Sequence, residues 1–355
     1  MVPIFPVPTR PPSHLNGVTT TPQIRATFHA ITDRGRTRDH NEDTFLVADL
    51  ATEEPLRITR EEAHELTDRG MLYLVADGMG GAAAGELASE MAAVEIHRHM
   101  VETWRIDRDH TSERFTQRLR ESVERANQLL HNYARENPEV RGMGTTVTVA
   151  GVWRDRLYLA QIGDSRGYLV RDGEARQLTR DQSLTQRLVE VGELTEEEAE
   201  ASERRNIILQ ALGPDPRVNV DLSWQALQRG DILIICSDGL STVVRRDEIA
   251  TAVRETPDIE RLAAHLVSLA NEHGGPDNIT VVVVRFDGDG LPVAASDEPG
   301  YHELLTTDDR PGLGPTLAFP AVPHPTAHGR SPNRLALTAL AVALGILVLT
   351  FVLTR

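Results

Sequence analysis

Five aspartates mark the points where predicted strands meet turns, and this shared position is the strongest chemical signal in the sequence. A single aspartate at such a point is most often a solvated turn carboxylate. Several carboxylates gathered at one end of a sheet would repel one another unless cations neutralised them. The pattern therefore indicates either five independent turn residues or a shared cation site. The five residues are Asp43, Asp77, Asp164, Asp238 and Asp277.

Asp77 lies in the stretch from Met71 to Gly85, around which the rest of the chain is organised. The apolar run 72–76 predicts a short buried strand that breaks at Asp77. Glycine fills three of the next four positions, which allows positive φ angles and close approach of the backbone to a ligand. A helical pattern follows from about Ala84. A carboxylate beside bare carbonyls suits a hard cation, although a capping aspartate would explain this stretch taken alone.

Six short motifs occur in order between about Ala26 and Phe286. They are RDHNED (38–43), VADGMGG (75–81), GTT (144–146), GDSR (163–166), CSDGLS (236–241) and GGPDN (274–278). Together they resemble the metal-dependent serine/threonine protein phosphatase family (PPM, type 2C), in its bacterial form. One motif would be a weak signal, whereas all six in order are highly specific. The resemblance implies an α+β fold in which two packed antiparallel β-sheets are flanked by helices (an α-β-β-α sandwich), with a two-metal site at one end.

The resemblance also implies a metal-binding role for the matched acids. Asp77 would bridge the two metals, and the backbone carbonyl of Gly78 would ligate one of them. Asp43 would complete the first metal site, and Asp238 and Asp277 would hold the second metal. Such an all-oxygen site selects Mn²⁺ or Mg²⁺ over Zn²⁺. Two ions of this kind lower the pKa of a bridging water and stabilise the attacking and leaving oxygens of an in-line displacement.

Three more residues receive roles from the same resemblance. Glu42 is an alternative or water-mediated ligand beside Asp43, and Asp164 would help to bind a third, weaker metal. Arg38 would clamp the substrate phosphate, because a guanidinium matches two phosphate oxygens with parallel hydrogen bonds. An ordinary surface arginine is the alternative for Arg38, since the chain contains no lysine and uses arginine at all 37 basic positions.

Two positions depart from the pattern of many family members. Met79 stands where many eukaryotic members have a histidine after the metal-binding Asp-Gly, so the acid that protonates the leaving group is unassigned. Thr242 stands where many members have an aspartate four residues after the ligand equivalent to Asp238, which weakens the third metal site. Thr242 also lies six residues after Cys236, where a cysteine-dependent phosphatase needs an arginine. We therefore exclude that class and expect Cys236 to pack in the core.

Composition restricts the class of partner. The formal net charge is −16, and an acidic surface argues against nucleic acid as a partner. A single cysteine excludes a disulfide framework and fits a reducing compartment. The polar composition of residues 51–70 predicts a surface excursion. Residues 181–213 are polar and helical in character, and the resemblance implies that they form the flap beside the active site.

We predict four parts along the chain: a disordered arm (1–24), a phosphatase domain (25–287), a Pro/Gly-rich linker (288–334) and a single transmembrane helix (335–353). In the domain, consecutive strands join by hairpins, which favours packed antiparallel sheets. Residues 335–353 contain no charge and would span ~28 Å as a helix, close to the thickness of a membrane. Arg330 and Arg334 precede this segment and only Arg355 follows it, which predicts a cytoplasmic domain.

These observations predict a membrane-anchored enzyme that hydrolyses phosphoserine and phosphothreonine on proteins and so opposes protein kinases. Its partners would be phosphorylated proteins, possible kinases among them, and the membrane. Two alternatives stay open. One is a catalytically silent docking module of the same fold, and the other is a phosphatase of phosphorylated anti-sigma-factor antagonists.

Overall fold

Two antiparallel sheets form the centre of the computed structural model, which describes residues 23–56, 62–202, 204–294 and 297–304. The strands are β1 (Arg25–Asp33), β2 (Asp43–Asp49), β3 (Glu62–Glu65), β4 (Met71–Met79), β5 (Gly144–Thr145), β6 (Val147–Trp153), β7 (Arg156–Ile162), β8 (Arg166–Arg171), β9 (Glu174–Gln177), β10 (Asp221–Ala226), β11 (Ile232–Cys236) and β12 (Ile279–Asp287). The α-helices are α1 (Ala82–Trp104), α2 (Ser112–Glu136), α3 (Leu184–Glu190), α4 (Glu196–Glu200), α5 (Asp238–Ser241), α6 (Arg246–Glu255) and α7 (Ile259–Glu272). A single turn of 3₁₀ helix covers Pro138–Val140.

The first sheet has the strand order β3-β1-β12-β11-β8-β9. Its two central strands, β11 and β12, are strongly apolar and are buried on both faces. Residues Ile232–Cys236 form β11 as the sequence predicts. β-Branched residues favour strands, and a short apolar run bounded by turn residues is typical of a buried strand. The loops that follow β11 and precede β12 therefore leave the sheet at the same end.

The second sheet has the order β10-β7-β6-β4-β2, and β5 pairs with the end of β4. The structure corrects one expectation here: β4 does not break at Asp77 but continues to Met79. Gly78 pairs with Thr145 of β5, and this extra pairing carries the strand two residues further. Asp77 is consequently held in a hydrogen-bonded ladder on both sides rather than in a free turn.

Three apolar layers hold the sandwich together. Side chains such as Val47, Tyr73 and Val282 fill the space between the two sheets. Helices α1 and α2 cover the outer face of the second sheet through residues that include Trp104 and Phe115. Helices α5, α6 and α7 cover the outer face of the first sheet. The predicted α-β-β-α sandwich is confirmed, and burial of these layers supplies its main stabilisation.

Residues 288–304 differ from the expectation of a linker that begins at 288. Leu291 is buried against the core between the sheets. The Leu304 amide donates to the Leu222 carbonyl (2.8 Å), and the Trp224 amide donates to the His302 carbonyl (3.0 Å). Residues 302–304 thus add a short antiparallel pairing to the edge strand β10. Elsewhere, the predicted excursion 51–70 contains β3. In the predicted helical segment 181–213, the helices among the described residues are the short α3 and α4.

The predicted transmembrane helix 335–353 lies outside the described residues, as do nearly all of the predicted arm 1–24 and the linker beyond residue 304. Within the described ranges, no helix combines the length and the apolar composition that crossing a bilayer requires.

Candidate active site

The five aspartates come together at one end of the sandwich. Burial raises the pKa of Asp77 well above its usual range, and the charges of the other four acids raise it further. Each acid lies on or beside a different element. Because the strands that carry or flank the acids run antiparallel, some begin and others end at the same end of the sandwich. Asp43 begins β2, Asp77 is on β4, Asp164 follows β7, Asp238 begins α5 and Asp277 precedes β12.

Burial and mutual repulsion raise the pKa values of several acids in the cluster. Burial, opposed in part by hydrogen bonds from Thr280 and Ser237, raises the pKa of Asp43 to about 7. Burial and the charge of Asp238 raise the pKa of Asp164 to about 8, and burial and the charge of Asp277 raise that of Asp238 to about 6. A cluster with these values is unfavourable as free carboxylates at neutral pH and becomes favourable when a cation replaces the protons.

Three carboxylate oxygens in this cluster are buried and have no hydrogen-bond partner. They are the Oδ1 atoms of Asp43, Asp164 and Asp238. Asp43 is otherwise fixed, since the Ser237 hydroxyl donates to its Oδ2 atom (2.7 Å). A buried oxygen without a partner costs free energy, on the order of 1–3 kcal/mol or more for a charged group. Oriented acceptors of this kind are the ligands that Mg²⁺ and Mn²⁺ take.

The residues fit divalent cations that keep part of their water shell. In the part of the chain that the structure describes, no three His, Cys, Asp or Glu side chains already surround one position. Asp277 instead accepts a hydrogen bond from Arg38 (2.7 Å). Mg²⁺ usually retains several waters and binds through one or two carboxylates, so the sparse set is compatible with it. A backbone oxygen of Gly78 lies on the same edge, on the residue after Asp77.

Arg38 lies at the mouth of the cluster. Its Nη2 atom donates to Oδ2 of Asp277 at 2.7 Å, and 51% of its side chain is exposed. The hydrogen bond to Asp277 is the main reason that the pKa of Arg38 is raised. The other oxygen of Asp277 accepts from the amide of Asn278 (2.8 Å), which fixes the carboxylate. A fixed, half-exposed guanidinium beside buried acids is placed to bind a phosphate group.

Comparison with known proteins identifies the family. The sequence model described as protein phosphatase 2C matches residues 60–280. The serine/threonine phosphatase Stp of Listeria monocytogenes is 37% identical over 256 residues, which cover 72% of this chain and 94% of Stp. The crystal structure of the Mycobacterium tuberculosis serine/threonine phosphatase PstP is 35% identical, with a TM-score of 0.61 over 74% of this chain and 99% of that one. This chain belongs to the protein phosphatase 2C family.

A second solved structure adds the metal. The catalytic domain of PstP in complex with two manganese ions is 33% identical, with a TM-score of 0.60 over 74% of this chain and 99% of that one. The predicted family and enzyme class are confirmed: the chain is a metal-dependent protein serine/threonine phosphatase. The assignment of each ligand to each ion in this phosphatase stays a prediction.

Glu42 contributes its backbone to the phosphatase site. Its carbonyl accepts from the Gly78 amide (3.1 Å) and the Ser89 hydroxyl (2.6 Å), so it ties the loop before β2 to β4 and α1. A Cβ on Gly78 would collide with the carbonyls of Gly85 and Glu42, which explains this glycine by close approach rather than by positive φ. Burial raises the pKa of the Glu42 carboxyl, and the charge of Arg38 opposes this.

Several residues that position the acids belong to the sequence motifs, although the sequence alone assigns them no role. The Thr145 hydroxyl donates to the Asp77 carbonyl (2.8 Å), and the Asp77 amide donates to the Thr146 hydroxyl (3.3 Å). Asn278 accepts from the Glu42 amide (2.9 Å) and donates to the carbonyls of Arg34 and His40. The position of Asn278 directly after Asp277 is a signal that the sequence offers. The GTT motif contains no acid, and the partners of these residues lie far away in sequence.

Thr242 and Cys236, which lie six residues apart in the sequence, each have a structural role. The Thr242 hydroxyl donates to the backbone carbonyl of Asp238 (2.7 Å), so this side chain is engaged with the backbone of α5 and supplies no carboxylate to the site. Cys236 is fully buried, and burial raises the pKa of its thiol to about 12. A thiol that stays protonated is not a nucleophile at neutral pH, in agreement with its predicted role in core packing.

Proposed function

We propose that this phosphatase hydrolyses phosphoserine and phosphothreonine on proteins at a two-metal site, with Mn²⁺ or Mg²⁺, and that it opposes protein kinases at a membrane. The observation that carries the site is the set of buried Oδ1 atoms on Asp43, Asp164 and Asp238 that have no hydrogen-bond partner. The two manganese ions in the PstP structure support the choice of metal.

The acids of the cluster would hold the ions, with Asp77 between them and Asp43, Gly78, Asp238 and Asp277 around them. When bound, two such ions supply an activated water and neutralise charge on the transferred phosphoryl group. The chain itself orients these ligands before any ion arrives, because Ser237, Thr145 and Asn278 fix the backbone and one oxygen of the acids. Preorganised ligands need little rearrangement on binding.

Arg38 would bind and orient the substrate phosphate. Its hydrogen bond to Asp277 keeps the guanidinium beside the acids. Its exposed half faces solvent, from which a phosphorylated side chain would arrive. A positioned guanidinium reduces the entropy lost when the phosphate is held in line for attack.

Asp164 would contribute to a third, weaker ion. Its Oδ1 atom is buried without a partner, which supports an unfilled ligand position. Thr242 supplies no carboxylate to this position, since its hydroxyl is engaged with the Asp238 carbonyl. We therefore propose that two ions are sufficient for turnover here.

The decisive experiment is hydrolysis of a phosphothreonine peptide by the full chain. It is run with Mn²⁺, with EDTA, and with the Asp77→Asn variant plus Mn²⁺. We expect turnover only in the first case. A folded protein that shows no turnover in any of the three would be a docking module of the same fold instead.

For the membrane anchor, the proposal rests on the uncharged segment 335–353 and on the arginines before it. Cell fractionation of the full chain and of a chain ended after residue 330 tests it. The full chain is expected in the membrane fraction and the shortened one in the soluble fraction. Recovery of both in the soluble fraction would contradict the anchor but not the phosphatase activity.

A further inference from the structure

A cavity of about 710 Å³ opens beside the acid cluster. Asp164 and Asp238 line its inner end, and Val189 of α3 lines one wall. Tyr301, which comes after the predicted phosphatase domain in sequence, also lines it. The segment that follows the sandwich therefore contributes a side chain to the cavity that opens onto the active site.

Residues 300–304 hold Tyr301 in place by strand pairing. The Gly300 amide donates to Oε1 of Gln225 (3.2 Å), and residues 302–304 pair with β10. Side chains alternate along such a pairing. Tyr301 and Glu303 accordingly face Arg180, while the ring of His302 packs on Trp224, with ring centroids 5.4 Å apart.

Arg180 connects Tyr301 to helix α3. Its guanidinium carbon lies 4.9 Å from the centre of the Tyr301 ring. Its Nε atom lies 3.7 Å from Oε1 of Glu190, the last residue of α3. Asp221 fixes both partners, since it accepts from the Tyr301 hydroxyl (2.7 Å) and from Arg180 (3.5 Å). Three acids surround Arg180, so its charge is balanced and it is not a free anion-binding group.

We propose that Tyr301 is a positioning residue for protein substrates. Stacked on Arg180, it fixes the C-terminal end of α3 and thereby the cavity wall against which the polypeptide around the phosphorylated residue binds. A small phosphoester reaches only the acids and Arg38, so it does not depend on this wall. The inference rests on the phosphatase function proposed above.

The test compares the KM and kcat of the full chain for a phosphothreonine peptide and for p-nitrophenyl phosphate, both with Mn²⁺. Tyr301→Ala is expected to raise the KM for the peptide about fivefold to tenfold, the size of one lost cation–π contact and hydrogen bond, with kcat unchanged. Hydrolysis of p-nitrophenyl phosphate should stay within about twofold of the unaltered chain, because Tyr301 contacts none of the five aspartates of the active-site cluster. Tyr301→Phe keeps the stacked ring and should restore most of the peptide KM.

Two further variants separate this role from general support of the fold. His302→Ala alters the next residue of the same strand on the opposite face, and its peptide KM should not change. Arg180→Ala should raise the peptide KM as Tyr301→Ala does, and the double variant should be no worse than Arg180→Ala alone, because the two residues act as one unit. An unchanged peptide KM in Tyr301→Ala, an equal loss with both substrates, or an equal effect of His302→Ala would overturn the proposal. No turnover of either substrate by the unaltered chain would overturn the phosphatase function on which it rests.

Discussion

Asp43 lies directly opposite Asp77 in the antiparallel ladder between β2 and β4. The two residues form the last pair of that ladder, at the edge of the sheet where the other three acids gather. Two carboxylates at paired positions on neighbouring strands normally destabilise a sheet by their repulsion. Their pairing here is therefore a local cost to the apoprotein that a divalent cation between them would remove.

Asp77→Asn should abolish turnover while the fold is kept. We expect kcat for a phosphothreonine peptide to fall by at least about 100-fold, since even residues that only support a metal ligand are worth 10–100-fold. The measurement is steady-state kinetics with Mn²⁺, together with circular dichroism. Asp172→Asn is the matched control, because Asp172 occupies a hairpin turn at φ 52°, which asparagine tolerates equally well. Equal activity of the two variants would contradict a metal-binding role for Asp77.

Arg38→Lys should not preserve activity, although it keeps the charge. A lysine cannot make two parallel hydrogen bonds to a phosphate, so kcat/KM should fall about 10-fold to 100-fold, as expected for the loss of one or two charge-assisted hydrogen bonds. Arg105→Lys is the control, because Arg105 pairs with Glu53 at 2.7 Å and follows the C-terminus of α1, about 34 Å from the N-terminus of that helix. Near-normal kinetics for Arg38→Lys would contradict bidentate binding of phosphate.

Stability without metal should fall as the pH rises. The folded-state pKa values of Asp43, Asp164 and Asp238 lie near 7, 8 and 6, above the unfolded value of about 4. The stability that these protonated acids contribute is fully present below about pH 4 and is lost as the pH rises through 6 to 8. In EDTA, the thermal midpoint should therefore be lower at pH 8 than at pH 6.

Mn²⁺ should reverse that loss, because the cation takes the place of the protons. The increase in thermal midpoint caused by Mn²⁺ is expected to be larger at pH 8 than at pH 6, by about 5 °C or more. Differential scanning fluorimetry of the full chain measures both values. An increase of the same size at the two pH values would show that the cluster does not exchange protons for metal.

A chain ended after residue 304 should be more stable than one ended after residue 287. The shorter chain loses the buried Leu291, the pairing of residues 302–304 with β10 and the contacts of Tyr301. A buried leucine contributes about 1.5–3 kcal/mol and each hydrogen bond about 1 kcal/mol, so the thermal midpoint should differ by at least about 5 °C. Equal midpoints would show that the segment rests on the fold without stabilising it.

The sequence predicts features that depend on the type of side chain, such as buried strands and acid motifs. It does not predict pairings that the backbone makes by itself. The apolar runs predicted β11 and β12, and the acid motifs predicted which residues the fold would bring together. Residues 302–304 pair with β10 through main-chain amides and carbonyls, which leave no trace in composition, so the composition of this stretch predicts a linker. The alternation of Leu222, Trp224 and Ala226 was an available signal for β10 itself, whereas the partners of Thr145 and Asn278 became visible only in three dimensions.

The burial of Cys236 has a consequence for signalling under oxidative stress. Phosphatases that attack through a thiolate are silenced when peroxide oxidises that sulfur, because the thiolate is the form that reacts. The single cysteine of this chain is enclosed in the core and keeps its proton at neutral pH. Peroxide is therefore not expected to inactivate this phosphatase by oxidising its cysteine, in contrast to phosphatases that use a thiolate.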